Sequence, residues 1–492
     1  LTHNFRRLKT RQFLKTFLWI SAVSPRAGII APCTDVPWVI SRSKGIATYP
    51  GELGKISYIN VAESVVVREE RTYTVSEEKD QSKLSRRRFL EAGSAVLVAA
   101  AGMQVAQGQG QEKPLQTPNH TGANEAQPLP INKALDDQNP SSVWAPETDA
   151  GGQPPFKYPF SFAHKRIEEG GWTRQVTVRD LPISKKMAGV QMRLIKGGIR
   201  ELHWHVGSEW AFMISGSARI TAVDQQGRAF VEDVNAGDLW LFPGGIPHSI
   251  QGVGEDGATF LLVFDDGNFN EFQTFLLTDW ITHTPKEVLA KNFDVPESTF
   301  DKVPKKELFI FERPMPRPLE EEKRDASAGT GMVPNSFAFF TGKMAPTKVS
   351  KGGEVKIIDR KNFPATNIAS AIVTLKPGGL RELHWHPNED EWQYFVKGKG
   401  RMTVFSAGTH ARTMDFQEGD VGYVERSVPH YIENTGDIDL VFLEVFPTPH
   451  YEDISLAEWL AHTPSRLVDQ HIATGEDFLR KIPKKEMVIT PE

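Results

Sequence analysis

The chain has 492 residues, 39% of them hydrophobic and 24% charged, a composition that fits a globular protein of two or three domains. Its formal net charge of −5 is too near neutral to suggest nucleic acid or an anionic membrane as a partner. The single cysteine, Cys33, excludes an internal disulfide and a thiolate zinc site, so any metal must be held by imidazole and carboxylate.

From the start of the chain, no apolar run reaches the roughly 20 residues that a membrane span needs, so no membrane contact is expected of the mature form. Residues 85–91 read Ser-Arg-Arg-Arg-Phe-Leu-Glu, and a weakly apolar stretch rich in Ala and Val follows over 92–106. This pattern looks like a twin-arginine export signal over 75–107, cleaved within 101–107, with a periplasmic or extracellular destination. An amphipathic helix with a basic start is the alternative. Such signals sit near a start, and no methionine precedes Met103, so translation is expected to begin near Val75. Residues 1–74, which contain Cys33, are then a mis-annotated or disordered extension. Gln, Gly and Pro dominate the segment after the signal, so 108–154 is expected to be a linker or N-terminal arm.

Short alternating runs broken by Gly, Pro and Asp follow. Residues 211–214, 218–223, 239–242 and 259–264 read as strands, as do 393–396, 401–405 and 440–446. Helical patterns over 278–290 and 455–469 each begin at a Thr or Ser suited to capping. The chain also repeats itself. Gly-Gly-Ile-Arg-Glu-Leu-His-Trp-His from Gly197 returns 181 residues later, from Gly378, with Leu for Ile. His-Thr-Pro at 283–285 and Lys-Val-Pro-Lys-Lys-Glu at 302–307 return 179 residues later, the second with Ile for Val. A unit of that length is a whole domain, well above the ~20–50 residues of a solenoid repeat. Two domains, 155–330 and 331–492, are expected, with 314–331 as the linker between them. The fold class is all-β: two antiparallel barrels or double-sheet jelly rolls with short flanking helices.

His203 and His205 are two apart, so on a strand both imidazoles project to one face. Glu209 follows, and His248 comes 39 residues after it. His384, His386, Glu391 and His430 repeat the set, again with 39 residues between the last two. Six of the chain's 14 histidines lie in these two groups. Three imidazoles and one carboxylate suit zinc, iron, copper, nickel or manganese, and in an octahedral sphere leave two positions open. Copper and zinc outcompete manganese on affinity, an obstacle removed by folding in the cytoplasm before a twin-arginine export step. Arg200 and Arg381 each stand three residues before the first histidine, where a guanidinium suits a small carboxylate ligand.

Gly197, His203, His205, Glu209 and Gly216 resemble the first cupin motif, repeated by Gly378, His384, His386, Glu391 and Gly398. Gly237, Pro243, Gly245 and His248 resemble the second motif, with Gly252 where the family usually has Asn. In the second domain Gly419, His430 and Asn434 keep that motif while Glu425 and Ser427 replace Pro and Gly. The doubled Arg-Glu-Leu-His-Trp-His, with Asp-Asp-Gly-Asn-Phe at 265–269 and Leu-Thr-Asp-Trp at 277–280, is similar to the bicupin oxalate decarboxylases. That resemblance implies two cupin barrels and two Mn(II) per chain. It implies conversion of oxalate to formate and carbon dioxide, with dioxygen used but not consumed, and an assembly of trimers or hexamers. It also implies a mobile lid at 270–274 whose Glu271 takes a proton from oxalate and returns it to carbon, while Arg200 polarises the substrate carboxyl. The family's bacterial lid usually starts with Ser and has Asn third, where this chain has Asn270 and Phe272. In the second domain Glu444 matches a glutamate proposed as proton donor, with Tyr451 nearby. A structural or electron-reservoir role for that site stands beside turnover there. Trp204 and Trp385 either pack simply or relay charge across a subunit contact. The competing functions are an oxalate oxidase releasing hydrogen peroxide, which a proton donor in the lid disfavours, and a non-catalytic metal-binding bicupin.

Overall fold

The computed structural model describes residues 131–271 and 274–490, and the backbone of three short strands nearer the N-terminus. The expected export signal, and Phe272 and Gln273 of the expected lid, lie outside the described residues. The chain divides into two units, Leu1–Gly108 and Gln109–Glu492. In the first, Ile46–Ala47, Ile56–Val61 and Ser64–Glu69 form an antiparallel sheet.

The second unit holds two similar antiparallel barrels. In the first, the 15-residue strand Glu209–Val223 runs through both halves of the barrel. It pairs with Leu239–Phe242 and Ala258–Phe264 near its start, and with Ala229–Asn235 and His248–Gly252 near its end. The two strands expected at 211–214 and 218–223 are thus one, bent at Gly216. There φ is +76° and a Cβ would lie 2.0 Å from the Gly257 carbonyl oxygen, so only glycine fits. In the second barrel the same turn falls at Gly398, and the strand divides into Glu391–Lys397 and Lys399–Ser406.

The barrels exchange arms. Lys157–Pro159, expected within the first domain, pairs with Asp420–Val424 of the second barrel. Ala338–Phe339, expected within the second domain, pairs with Leu239–Phe242 of the first. The described part of the arm before them, from residue 131, packs on the second barrel: Asp149 accepts from the Thr413 amide and hydroxyl at 2.9 and 2.6 Å. One apolar core spans both barrels and includes Phe160, Trp210, Trp392, Phe395 and Leu443.

Three expected helical or linker segments differ from the sequence reading. The segments 278–290 and 455–469 each become two helices, Leu277–Thr282 with Lys286–Phe293 and Leu456–His462 with Ser465–Ile472. Pro285 and Pro464 interrupt them, because proline lacks an amide and restricts the residue before it. Ser455 caps its helix, accepting from the Glu458 amide at 3.3 Å. Thr278 caps nothing; its amide and hydroxyl both donate to Glu201. The expected linker at 314–331 contains the helix Leu319–Ser327, whose Lys323 reaches Glu232 at 3.1 Å.

Candidate metal centres

Strand register brings each histidine–glutamate set together. His203, near the end of Gly198–Trp204, pairs directly with His248, and Glu209 opens the long strand beside Phe242 and Phe264. In the second barrel His384 pairs with His430, and Glu391 opens its strand beside Val424. All eight side chains are buried, and within each set the four potential ligand atoms lie within 4.8 Å of one another.

Hydrogen bonds prepare these atoms for a cation. All six histidines direct Nδ1 at a backbone carbonyl oxygen: Glu201, Gly207 and Ile246 in the first barrel, and Glu382, Glu452 and Val428 in the second. Donation from Nδ1 leaves the Nε2 lone pairs free and pointing inward. Trp240 Nε1 occupies Glu209 Oε1, and Gln393 Nε2 occupies Glu391 Oε1, so each Oε2 is left facing the imidazoles. Oε2 lies 3.2 and 3.5 Å from His205 and His248 Nε2, and 3.3 and 2.9 Å from His386 and His430 Nε2. These are contacts between acceptors, and only a cation among them makes them favourable. Separations of about 3 Å are those that ligands about 2.1 Å from a metal show at right angles. His248, His384, His386 and His430 Nε2 and Glu391 Oε2 are buried with no hydrogen-bond partner. Burial, followed by Arg200 and the other imidazoles, holds His203 well below its ordinary value. A divalent metal therefore fits both sites.

Arg200 and His203 are three apart, an odd spacing that a regular strand would send to opposite faces. A β-bulge restores a common face: His203 pairs with His248 but Arg200 pairs with Ile250, so one residue is extra. The register shifts in the same way between Arg381 and His384. Arg200 is buried, its Nη1 donates to the Phe309 carbonyl at 3.2 Å, and its guanidinium lies 4.1 Å from the Phe309 ring centre.

Glu271 is also buried, with only 6% of its surface exposed. Thr173 Oγ1 donates to its Oε1 at 2.6 Å, and its amide donates to Gln175 Oε1 at 3.2 Å. Both anchors sit on the strand Gly171–Val176. Burial raises the Glu271 carboxyl above its ordinary value, opposed by Arg200 and by the Thr173 hydrogen bond. Glu271, Thr274 and Arg200 line one cavity with His203, His205 and Glu209, and its remaining walls are apolar. At about 10 Å³ it is at the limit for a single water. Glu271 and Thr274, the described ends of the expected lid's inner part, thus stand at the wall of this small cavity.

The second centre differs around its arginine. Arg381, fully buried, donates to Glu444 at 3.3 Å, Asp453 at 2.7 Å and the Tyr451 hydroxyl at 2.8 Å. Tyr451 Oη in turn donates to Glu444 Oε2 at 3.0 Å. Burial opposes the charge on Arg381, but Tyr451, Glu444 and Asp453 hold its pKa well above the ordinary arginine value. Burial raises Glu444, against the pull of Arg381. Among the described residues Arg200 has no carboxylate within ion-pairing distance, so of the two arginines Arg200 is placed to take an added anion.

A family model described as Cupin matches residues 161–300 and again 341–474. The oxalate decarboxylase of Bacillus subtilis is 52% identical over 359 residues, covering 73% of this chain and 92% of that one. The chain belongs to the bicupin oxalate decarboxylase family. A probable oxalate decarboxylase of Arthroderma benhamiae is 43% identical, covering 73% of this chain and 89% of its own length. A solved structure concerned with the Mn(II) centres of the Bacillus subtilis oxalate decarboxylase superposes with a TM-score of 0.73. It is 48% identical and covers 77% of this chain and 99% of that one. The doubled cupin barrel expected from the repeat is thus the fold of the chain, and both expected sets of four ligands come together. Sequence reasoning missed Thr173 and Gln175, which meet the lid across about a hundred residues with no local signal. It also missed Glu201 and Asp453, although Glu201 stands inside the repeated Arg-Glu-Leu-His-Trp-His motif.

Proposed function

We propose that this chain is a manganese-dependent oxalate decarboxylase that splits oxalate monoanion into formate and carbon dioxide at the first barrel's centre. What carries this reading is one cavity that joins the ligand set, an arginine with no carboxylate at ion-pairing distance among the described residues, and a buried glutamate on a closable segment. Manganese held by His203, His205, Glu209 and His248, with dioxygen as co-reactant, would supply the reversible one-electron oxidation that weakens the carbon–carbon bond. Arg200 binds the substrate carboxylate through the N–H edge of its guanidinium, while Phe309 orients the group through its carbonyl and ring. Glu271 takes the acidic proton of the monoanion and returns it to the carbon left after carbon dioxide departs, so the two products account for all atoms of the substrate. With its pKa raised by burial, Glu271 is a stronger base than an exposed carboxyl, which helps it take the proton from the substrate. The closed segment keeps water from the reacting carbon. A cavity of about 10 Å³ has no room for oxalate, so the segment opens to admit it.

The second centre, with Arg381 held by Glu444 and Asp453, serves in this reading as a structural or electron-holding site. We also propose export by the twin-arginine route, on the strength of residues 85–106, and a trimeric or hexameric assembly, which the exposed Trp280 and Trp459 favour. Fractionation with the arginine pair replaced by lysines, and light scattering of the purified protein, test these two points. The activity is tested by adding oxalate in air to the manganese-loaded protein and measuring formate against peroxide. Formate in large excess is expected. Peroxide with two carbon dioxide per oxalate would make the chain an oxidase, and no turnover would refute the proposal.

A further inference from the structure

The bulge that turns Arg200 and His203 to the same face leaves Glu201 between them, buried and outside the cavity lining. Its carboxylate accepts four hydrogen bonds. Oε1 takes the Thr278 amide and hydroxyl at 2.8 and 2.6 Å, and Oε2 takes the Leu308 and Phe309 amides, both at 2.9 Å. Its own amide donates to the Phe309 carbonyl at 2.9 Å, and its carbonyl accepts from His203 Nδ1 at 2.6 Å. One residue therefore touches the helix that follows the lid, the turn that holds Arg200, and a metal-binding histidine. We infer that Glu201 is a positioning residue, whose carboxylate fixes both the substrate arginine, through Phe309, and the far anchor of the lid, through Thr278.

The backbone of Phe309 supports this. Its φ is +53°, a left-handed conformation that side-chain-bearing residues avoid, so something must hold it there. The two hydrogen bonds between Glu201 and Phe309, one in each direction, do so. What they hold is the carbonyl and ring that orient Arg200. The second barrel repeats the device. Val488, 179 residues on, has φ +59°, a costly conformation for a β-branched residue. Its amide donates to Glu382 Oε1 at 2.6 Å, its carbonyl accepts from Arg381 Nη1 at 3.4 Å, and Ser455 replaces Thr278 on Glu382 Oε2 at 2.7 Å. The outcome of loosening the two clamps differs, however. Arg381 keeps Asp453, Glu444 and Tyr451, whereas among the described residues Arg200 hydrogen-bonds only to Phe309. The same chemical change should thus disturb the arginine in one barrel and only stability in the other.

This inference rests on the decarboxylase reading, and the experiment separates the two. Full-length chain loaded with Mn(II) is assayed for metal per chain, unfolding temperature, KM for oxalate, and the ratio of formate to peroxide. Glu201→Gln is expected to keep two metals per chain, to raise KM about tenfold or more, and to raise the share of peroxide, which forms from oxalate and dioxygen when the lid fails to hold. Thr278→Val removes the hydroxyl bond of the lid arm and leaves the Phe309 arm intact, so it raises the peroxide share several-fold with KM within threefold of wild type. Glu382→Gln is the matched stability control, read for its KM, which stays within twofold while the unfolding temperature falls. A wild-type KM in Glu201→Gln, or an equal rise in Glu382→Gln, overturns the inference. Should Glu201→Gln fail to fold, an unchanged product ratio in Thr278→Val overturns it instead. If the wild-type protein makes no formate, the functional reading fails. The clamp is then judged by calorimetry, where equal oxalate Kd values for wild type and Glu201→Gln refute it.

Discussion

Replacing Thr173 by valine keeps the shape of the side chain and removes the 2.6 Å hydrogen bond to Glu271. The carboxylate is buried in the closed position, so the lost bond is one to a charged acceptor away from water, worth about 1.5–3 kcal/mol. With the open position unaffected, the ratio of closed to open lid should fall by a factor of about 10–100. If turnover needs the closed lid, kcat/KM falls by a comparable factor, and peroxide rises relative to formate. The same bond stabilises the ionised form of Glu271, so its loss raises a pKa that burial already holds above the ordinary value. The base form is present only above that pKa, and the acid limb of the kcat/KM profile should therefore move to higher pH. Steady-state rates of both products across pH, at measured metal content, give both effects. An unchanged rate with an unmoved limb would mean that Thr173 and Glu271 do not meet during turnover.

Glu271→Ala should abolish formate production while metal analysis still finds two metals per chain, because Glu271 belongs to neither ligand set. Arg200→Lys keeps the charge but loses the planar fork for a carboxylate, so KM for oxalate should rise about tenfold or more at unchanged metal content. Arg381→Gln leaves Glu444 and Asp453 buried without their cation, and an unfolding penalty of about 3–5 kcal/mol should appear in thermal melts. Glu486 is pushed up to about 7 by burial and by Asp453. With its folded pKa above the unfolded value, the native state binds more protons through that window, so this group's contribution to stability falls as pH rises from about 4.5 to 7. The unfolding temperature of Glu486→Gln, relative to wild type, should therefore improve between pH 5 and pH 8; a constant difference would refute the linkage.

The metal centres were legible because their signal is local and doubled. Two histidines two apart, a glutamate one turn later and a histidine 39 residues on form a pattern that recurs in a second, otherwise divergent, copy. The barrel class was legible from turn residues and alternation. What escaped depends on departures from regular periodicity. Strand alternation cannot tell that Arg200 faces the same way as His203, since that needs the bulge, and the bulge conceals the role of Glu201. Exchange of Lys157–Pro159 and Ala338–Phe339 between barrels has no local signature, because each strand pairs with residues far along the chain. The helical segments were placed well but read as continuous, although Pro285 and Pro464 carried the signal for the breaks.

The two centres share ligands but not electrostatics, and that difference is what the proposed division of roles between them rests on. Around the first ligand set the buried ionisable neighbours are Arg200, Glu209 and Glu271. Around the second they are Arg381, Glu391, Glu444 and Asp453, one carboxyl group more. With equal metal charge, the first centre offers an incoming carboxylate a cation that the protein has not already neutralised. At the second, the same guanidinium edge is taken by Asp453 and Glu444, and an entering anion would have to displace a carboxylate that is covalently tethered at 2.7 Å and so present at high effective concentration. Two copies that keep all four ligands can therefore still differ in how readily they take an anion, because an aspartate stands against the arginine in one of them.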